Sequence, residues 1–263
     1  MTHEIPAPRI FHQDDRATIY HDDALLMLAS LPDESVDALI TDPPYSGGSL
    51  ANQKTISTTS KYGSDDKARG RALPQFAGDS RDQASYAYWT QLWLAQALRV
   101  TKPGGFAMVF TDWRQYGTTA LSLQGGGWLW RGTVTWVKPR GNARPMKGRF
   151  NQPCEYVLWG TKGARHLDQE PGFKMIEGWF EARSPMGKQR VHTTEKPVDF
   201  MEHLMLPLEP DSLVLDPFAG SGTTGVAAMN CGHRFIGCEV VEQYAQTATD
   251  RITQAQNTPR LIA

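Results

Sequence analysis

Near its C-terminus the chain alternates short apolar runs with helix-forming stretches, and this alternation constrains the fold more than any other feature. The apolar runs predict strands at Leu213–Leu215 and Phe235–Cys238, and the stretches after them predict helices at Thr223–Cys231 and Val241–Ala255. Strands that alternate with helices form parallel sheets, because a parallel connection needs a crossover. The sequence therefore predicts an α/β protein with a doubly wound, mostly parallel sheet.

The rest of the chain carries predicted elements of the same kind. Further strands are predicted at Ala17–His21, Val36–Thr41, Phe106–Phe110, Trp128–Val137 and Glu155–Trp159. Further helices are predicted at Asp23–Leu31, Tyr86–Val100 and Val198–Leu206, with a short one after Arg114. At 263 residues the chain fits one large domain over 1–263 that carries an inserted region.

Three stretches lack this pattern and are predicted to be irregular. Residues 1–16 are polar and contain prolines, which indicates an arm. Residues 46–85 are rich in Gly, Ser, Thr, Lys and Arg, and their basic residues are mixed with aspartates. We interpret 46–85 as a flexible, solvated insertion rather than a binding patch. Residues 161–191 are again loop-like.

Composition narrows the class of protein. Hydrophobic residues make up 40% and charged residues 21%, which is typical of a globular domain. No apolar run is long enough to span a membrane and the N-terminus has no apolar signal core, so we expect a cytoplasmic protein. Cys154, Cys231 and Cys238 form no CxxC pair, and neither a disulfide framework nor a metal site is expected. A net charge of −1 neither indicates nor excludes nucleic acid.

The segment Asp42-Pro43-Pro44-Tyr45 directly follows the predicted strand Val36–Thr41. Open α/β sheets bind ligands at the carboxyl ends of their strands, which is where Asp42 would lie. The two prolines remove backbone donors and leave rigid carbonyl acceptors, and Tyr45 adds a flat aromatic face. This combination suits a planar heterocycle that stacks while its amino group donates two hydrogen bonds. An ordinary Asp-Pro turn at the end of a strand is the alternative.

A glycine-rich loop, Asp216–Gly225, lies between a predicted strand and a predicted helix. Gly220, Gly222 and Gly225 satisfy the pattern G-x-G-x-x-G, and Glu239 ends the next strand. This is also the fingerprint of nicotinamide dinucleotide sites, so the glycines alone do not identify the ligand.

Two features favour a ligand with one adenosine and no pyrophosphate. Only 24 residues follow Glu239, too few for the second mononucleotide half in its usual order, and the loop lacks the lysine of a phosphate-binding loop. The glycines would let the backbone approach such a ligand, and Glu239 would accept both ribose hydroxyls. A tight strand-to-helix turn without a ligand is the alternative.

Three motifs together resemble those of the amino-methylating DNA methyltransferases: Asp42–Tyr45, His192–Pro197 and Asp216–Gly225. Their order, with the catalytic motif before the cofactor motif, is similar to the permuted β group. The similarity runs from about Ala17 to Ile252. Further segments resemble phage-type DNA modification methylases, namely Phe110–Gln115 and the stretch around Asn151-Gln152.

This resemblance implies a seven-stranded, doubly wound sheet, S-adenosylmethionine as cofactor and the N6 amino group of adenine as target. It implies catalytic roles for Asp42, Pro43, Pro44 and Tyr45. Glu239 would bind the ribose, Asp23 the adenine amino group, and Thr194 and Lys196 would lie near the cofactor carboxylate. The full set of implied cofactor contacts is Asp23, Thr194, Lys196, Asp216, Phe218, Gly220, Ser221, Gly222, Thr223 and Glu239.

The substrate expected from this resemblance is double-stranded DNA with the target base flipped out of the helix. Residues 138–149 contain five basic residues and no acidic one, and we predict a target-recognition region over 138–191. The predicted DNA contacts are Lys138, Arg140, Arg144, Lys147, Arg149, Arg183, Lys188 and Arg190. Similar enzymes are often homodimers.

Several alternatives to adenine methylation remain open. Cytosine N4 presents a similar amino group, although Asp rather than Ser before Pro-Pro favours adenine by resemblance. RNA could replace DNA as substrate, and a catalytically silent nucleic-acid-binding subunit could keep the same fold. Cys154 follows a proline, as does the nucleophile of enzymes that methylate cytosine C5. It leads straight into a predicted strand, so we interpret it as a structural cysteine.

Overall fold

The structure, a computed structural model, describes residues 7–46, 81–139, 148, 150–165, 175–183 and 196–258. Its strands are β1 (Ile10–Gln13), β2 (Ala17–Tyr20), β3 (Val36–Thr41), β4 (Thr101–Thr111), β5 (Leu129–Val137), β6 (Cys154–Thr161), β7 (Trp179–Glu181), β8 (Leu213–Asp216) and β9 (Arg234–Cys238). Its helices are α1 (Ala24–Ser30), α2 (Gln83–Val100), α3 (Tyr116–Gly125), α4 (Val198–Met205), α5 (Thr223–Asn230) and α6 (Glu242–Asn257).

All nine of these strands form one sheet in the order β1-β2-β9-β8-β3-β4-β6-β5-β7. Strands β2, β9, β8, β3 and β4 are parallel neighbours, and β6 and β1 run against them. Because β5 is antiparallel to β6 and β7 is parallel to β5, these two strands return to the common direction. The carboxyl ends of seven strands therefore lie at one edge of the sheet.

The order of the strands reverses between β3 and β8. The chain proceeds from β3 to β4 on one side and from β8 to β9 on the other. Such a reversal opens a crevice at the carboxyl edge, which is where doubly wound sheets bind ligands. The Asp-Pro-Pro-Tyr segment follows β3 and the glycine loop follows β8. The fold therefore brings together two motifs that are about 175 residues apart in sequence.

Helices cover both faces of the sheet. On one face α1, α2 and α3 bury a cluster that includes Trp93, Trp128 and Leu215. On the other face α4, α5 and α6 bury a cluster that includes Phe110 and Phe200. Central strands that are covered on both faces consist of almost continuous apolar residues, and this explains why their periodicity is weak in the sequence.

The sheet of the described residues has nine strands, whereas the sequence led us to expect seven. The two additional strands are short and lie at the edges of the sheet. Strand β1 pairs antiparallel with β2 inside the segment that we expected to be an arm. Strand β7 pairs with β5 inside the stretch 161–191 that we expected to be a loop. Both strands have at most four residues, and several of these are exposed, which leaves no apolar run to indicate a strand.

The predicted insertion 46–85 also ends earlier than expected. Helix α2 begins at Gln83, where the Asp82 carboxylate accepts a hydrogen bond from the Ser85 N–H at 2.8 Å. Residues 47–80 lie outside the described residues.

Within the described ranges no helix is long and apolar enough to cross a membrane. In the same ranges the structure contains no cluster of His, Cys, Asp and Glu that could hold a metal ion, and all three cysteines are free thiols.

Candidate active site

Asp42 lies at the carboxyl end of β3, and both of its carboxylate oxygens contact neighbouring side chains. The Tyr45 hydroxyl donates to Oδ1 and the Lys196 ammonium donates to Oδ2. The side chain of Asp42 is 24% exposed, so a ligand can reach it. Burial raises the pKa of Asp42 above its ordinary value, while the charge of Lys196 opposes this shift.

The two prolines after Asp42 determine which backbone groups this segment offers. Pro43 is buried and Pro44 is half-buried. Among the described residues no donor contacts the Pro43 carbonyl, and a proline has no N–H to compete for a ligand. The loop therefore offers a carboxylate and an unused carbonyl acceptor close together in the chain.

Lys196 joins the segment after β3 to the start of β6. Its ammonium lies between Asp42 Oδ2 and Glu155 Oε2, 3.3 Å from the latter. Lys138, at the end of β5, contacts the other oxygen of Glu155. Burial alone would lower the pKa of Lys196, but the two carboxylates raise it above its ordinary value, so the side chain stays charged.

Asp216, the last residue of β8, connects the end of β3 to the glycine loop. Its carboxylate accepts hydrogen bonds from the hydroxyls of Thr41 and Thr224, both at 2.6 Å, and from the Phe218 N–H at 3.0 Å. Burial raises its pKa to about 6, although these donors favour the charged form. The hydroxyl of Thr41 therefore links the end of β3 to the start of the glycine loop.

The three glycines of the loop differ in the space that surrounds them. Gly222 has a φ of +81°, and a Cβ there would lie 2.8 Å from Ala248 of α6. A Cβ at Gly225 would overlap Ile252 and Phe235. Gly220 has a φ of +53°, but its Cβ position is open, with the Phe218 carbonyl oxygen nearest at 4.0 Å. Helix packing therefore requires two of the glycines, and only Gly220 leaves room for a ligand.

Glu239 follows β9 and lies against this loop. Its carboxylate accepts the N–H of Gly220 at 3.0 Å and that of Val241 at 2.8 Å. Burial raises its pKa to about 7 in spite of these hydrogen bonds. Each oxygen accepts one of these two backbone N–H groups, and a carboxylate has about four acceptor positions, so it can also accept hydroxyl groups.

Asp23 lies at the same edge, after β2. Its Oδ1 caps α1 by accepting the Leu25 N–H at 2.8 Å, and in the described part of the chain its Oδ2 accepts no hydrogen bond. Both oxygens of Asp22 are occupied by the backbone N–H groups of Arg9 and Asp23. Asp23 is therefore the aspartate of this pair that can accept a ligand donor.

The remaining predicted cofactor residues contact the protein itself. The Phe218 ring packs against Trp89 and Trp93 of α2, with centroids 5.3 and 5.2 Å apart. Ser221 and Thr223 accept hydrogen bonds from Arg251 of α6. These three side chains hold the loop in place. Lys196, expected near the cofactor carboxylate, contacts Asp42 and Glu155.

Thr194 lies outside the described residues. So do most of the predicted DNA contacts, namely Arg140, Arg144, Lys147, Arg149, Lys188 and Arg190. Of the two that are described, Arg183 is exposed. Lys138 has an internal partner in Glu155, and its side chain is only 21% exposed. Cys154 is half-buried at the start of β6.

Sequence reasoning did not identify Glu155, Thr41 or the hydroxyl of Tyr45 as parts of the site. Glu155 was assigned only as the first residue of a strand, although an acidic residue in a buried strand is itself a signal of an ion pair. The hydroxyl contacts of Thr41 and Tyr45 depend on the fold, and no sequence pattern indicates them.

Comparison with known proteins agrees with this geometry. Residues 36–250 match the model of the N6/N4 methyltransferase family, described as DNA methylase. The Escherichia coli (strain K12) protein YubD, named as a methylase, is 30% identical over 235 residues, which cover 89% of each chain.

Among solved structures, the complex of M1.HpyAVI with S-adenosylmethionine is 27% identical, with a TM-score of 0.63 over 90% of this chain and 98% of that one. The cytosine-N4-specific PvuII DNA methyltransferase shares the fold, with a TM-score of 0.68 and 18% identity over 95% of this chain and 94% of that one. The carboxylate after β3, the glycine loop after β8 and the family match lead to one conclusion: the chain belongs to the N6/N4 family of DNA methyltransferases.

Proposed function

We propose that this chain transfers a methyl group from S-adenosylmethionine to the N6 amino group of adenine in double-stranded DNA. The observation that carries the proposal is the Asp42 carboxylate beside the Pro43 carbonyl, which no donor of the described residues contacts, at the strand reversal that also presents the glycine loop. Two acceptors in this position match the two N–H bonds of an exocyclic amino group.

The residues around the glycine loop fit the adenosylmethionine cofactor. Gly220 leaves open space for it, the Glu239 carboxylate is the acceptor for the ribose hydroxyls, and Asp23 Oδ2 is the acceptor for the adenine amino group. The cofactor supplies an electrophilic methyl group on a sulfonium. This is the chemistry that an amino nitrogen can use directly, without a covalent enzyme intermediate.

The protein's own contribution is to position the amino group and stabilise its charge. The lone pair of the adenine amino nitrogen is delocalised into the ring, which makes the nitrogen a poor nucleophile. Hydrogen bonds to Asp42 and the Pro43 carbonyl favour a pyramidal nitrogen and stabilise the positive charge that develops on it. Preorganised groups of this kind supply much of the rate enhancement in such sites.

The target base must leave the duplex to reach Asp42, because its amino group is otherwise held inside the paired and stacked helix. Flipping costs a few kcal/mol. Stacking on the Tyr45 ring offsets part of this cost, since base–aromatic stacking contributes roughly 1–3 kcal/mol per base. We assign the duplex contacts to the region 138–191.

The experiment is single-turnover transfer of labelled methyl from S-adenosylmethionine to duplex DNA, followed by nucleoside analysis. We expect the label on adenine N6. Label on cytosine N4 would correct the target base, because cytosine presents a similar amino group and the PvuII enzyme of the same fold is cytosine-specific. Transfer to RNA but not to DNA, or no transfer at all, would contradict the proposal.

The catalytic role of Asp42 is tested by Asp42→Asn in the same assay. The variant keeps the shape of the side chain but loses its charge, so we expect the transfer rate to fall by about 10²–10³-fold. Cofactor affinity, measured by calorimetry, should stay near that of the wild type, since Glu239 lies two strands away. An unchanged transfer rate would contradict the electrostatic role of Asp42.

A further inference from the structure

Four side chains of alternating charge contact one another at the carboxyl edge of the sheet, in the order Asp42, Lys196, Glu155 and Lys138. Lys196 contacts Asp42 and lies 3.3 Å from Glu155 Oε2, and Lys138 contacts Glu155 Oε1. The side chains of Lys196 and Glu155 are 6% and 18% exposed. A buried ammonium between two carboxylates has two places where its charge is compensated.

We propose that Glu155 is a positioning residue of the methyl-transfer site, which holds Lys196 in place and accepts its ammonium when the substrate amino group binds Asp42. The inference rests on the proposed function, because it requires an amino-bearing base at Asp42. It applies equally to adenine and cytosine.

The need for a second partner follows from the occupancy of Asp42. Tyr45 contacts one oxygen of Asp42 and Lys196 contacts the other. An incoming amino group must therefore share or displace the ammonium. An ammonium that loses its partner in a buried site is strongly destabilised. A nearby second carboxylate removes this penalty.

Glu155 is suited to this exchange. Its Oε2 lies 3.3 Å from the Lys196 ammonium and is contacted by no other donor among the described residues, so this buried oxygen can take a closer contact with Lys196. Lys138 holds the other oxygen, and its ammonium lies 4.4 Å from the centre of the Trp136 ring. Burial alone would raise the pKa of Glu155, but the two lysines bring it below its ordinary value, so the carboxylate stays charged.

The charges that face Asp42 come from several elements. Lys196 and the Tyr45 hydroxyl lower its pKa, and the negative charge of Glu155 raises it. Asp216 at the end of β8 interacts repulsively with it, and Asp112 after β4 faces Tyr45. As long as Lys196 keeps its contact with Asp42, removal of the charge of Glu155 lowers the pKa of Asp42.

The test is Glu155→Gln in the full chain, with kcat/KM for duplex DNA measured against pH at saturating S-adenosylmethionine. This parameter reports the ionisations of the DNA-free enzyme. We expect a rate loss of roughly 10²-fold, as is found when a reacting group is misplaced. We also expect the acid limb of the profile to move to lower pH. Tyr45→Phe should move the same limb to higher pH, because it removes a donor that favours the charged form of Asp42.

Two controls separate positioning from a general loss of structure. Asp37→Asn removes a partly buried carboxylate that pairs with Lys102 at 2.7 Å at the opposite edge of the sheet, and it should leave the acid limb in place. The double variant Lys138→Gln/Glu155→Gln removes the lysine charge that Glu155→Gln leaves without a partner. If Glu155 acts through Lys196, the double variant keeps both the rate loss and the shifted limb.

A second measurement needs no DNA and no activity. Competitive acetylation, followed by peptide mass spectrometry, gives the pKa of Lys196 in the free protein. Glu155→Gln should lower it, because Glu155 helps to raise the pKa of Lys196.

Three results would overturn the inference: an unchanged pKa of Lys196, a wild-type rate and acid limb in Glu155→Gln, or recovery of the rate in the double variant. An inactive wild type with a lowered pKa of Lys196 in Glu155→Gln would contradict the proposed function and support the hold of Glu155 on Lys196.

Discussion

At the scale of single residues, burial raises the pKa of three site carboxylates, those of Asp42, Asp216 and Glu239. Asp216 and Glu239 have pKa values raised to about 6 and about 7, and burial is the first cause in both. A carboxylate that burial makes costly to ionise is stabilised by every hydrogen-bond donor that a ligand brings. The same residues that destabilise the free protein therefore contribute to ligand affinity.

Glu239 provides a pH-dependent prediction. Its pKa in the folded protein is about 7, above the ordinary value of 4.5, so its contribution to stability is present below about pH 4.5 and is lost as the pH rises through 7. Ligand hydroxyls that donate to the carboxylate favour its charged form. We expect S-adenosylmethionine affinity to fall by up to about tenfold per pH unit below pH 7. Calorimetry across pH 5.5–8 measures this: release of the ligand should take up about one proton well below pH 7 and almost none at pH 8.

The matched control is Glu239→Gln, which keeps the shape of the side chain and cannot titrate. Its affinity should be weaker at pH 8 and should lack the part of the pH dependence that Glu239 causes. The stability of the ligand-free variant should change in the opposite direction: its Tm at pH 8 should be higher than that of the wild type, because no buried charge remains at position 239. The same pH dependence in both proteins would exclude Glu239 as the titrating group.

At the scale of elements, the sequence predicted what apolar runs and local motifs determine. Strands β3, β8 and β9 and the six helices of the described residues lie within about three residues of their predicted positions, because apolar runs and helix-end signals mark them. Strand β4 begins at Thr101, five residues before the predicted start at Phe106. Strand β7 was missed, since its three residues gain their structure only from pairing with β5.

The candidate site was predictable to the same extent. Asp42 and Glu239 were identified because each ends a strand within a recognisable motif. Glu155 was not identified as a site residue, because its role depends on the antiparallel pairing of β6, which brings its first residues to the carboxyl edge of β4. Contacts between distant segments depend on the topology, and no local pattern contains them.

The glycine loop allows an element-scale prediction with a matched pair of variants. Gly220→Ala and Gly222→Ala both place a side chain at positive φ, which costs roughly 1–2 kcal/mol in each. Only Gly222→Ala also drives its Cβ into Ala248, and overpacking adds about 1–3 kcal/mol. Denaturant unfolding should therefore show the larger loss of unfolding free energy for Gly222→Ala.

The two glycine variants should differ in the opposite way in ligand binding. The Cβ of Gly220→Ala projects into the open space where we propose the cofactor, so this variant should lose S-adenosylmethionine affinity relative to its small loss of stability. Equal losses of stability in both variants would mean that α6 moves away from the loop at no cost.

At the scale of the whole molecule, the sheet gathers its chemistry at one edge. The motifs after β2, β3, β8 and β9 lie there, and so do the ends of β5 and β7, which carry Lys138 and Arg183. The net charge is only −1, so DNA binding must depend on where the basic residues lie rather than on their number. The edge that presents Asp42 is therefore the surface that we expect to face the duplex.

Lys138 and Arg183 test this orientation, because they end neighbouring strands but differ in their partners. Lys138 is compensated by Glu155, whereas Arg183 is exposed. In a plot of the logarithm of DNA affinity against the logarithm of salt concentration, the magnitude of the slope falls by about 0.9 for each phosphate contact removed. Arg183→Gln should lower the slope by about this amount, and Lys138→Gln should leave it unchanged. Arg131→Gln, an exposed arginine near the start of β5, is the control at the opposite edge. An equal fall in slope for Lys138→Gln and Arg183→Gln would mean that Lys138 leaves Glu155 to bind phosphate. A fall in slope for Arg131→Gln alone would place the duplex at the opposite edge of the sheet.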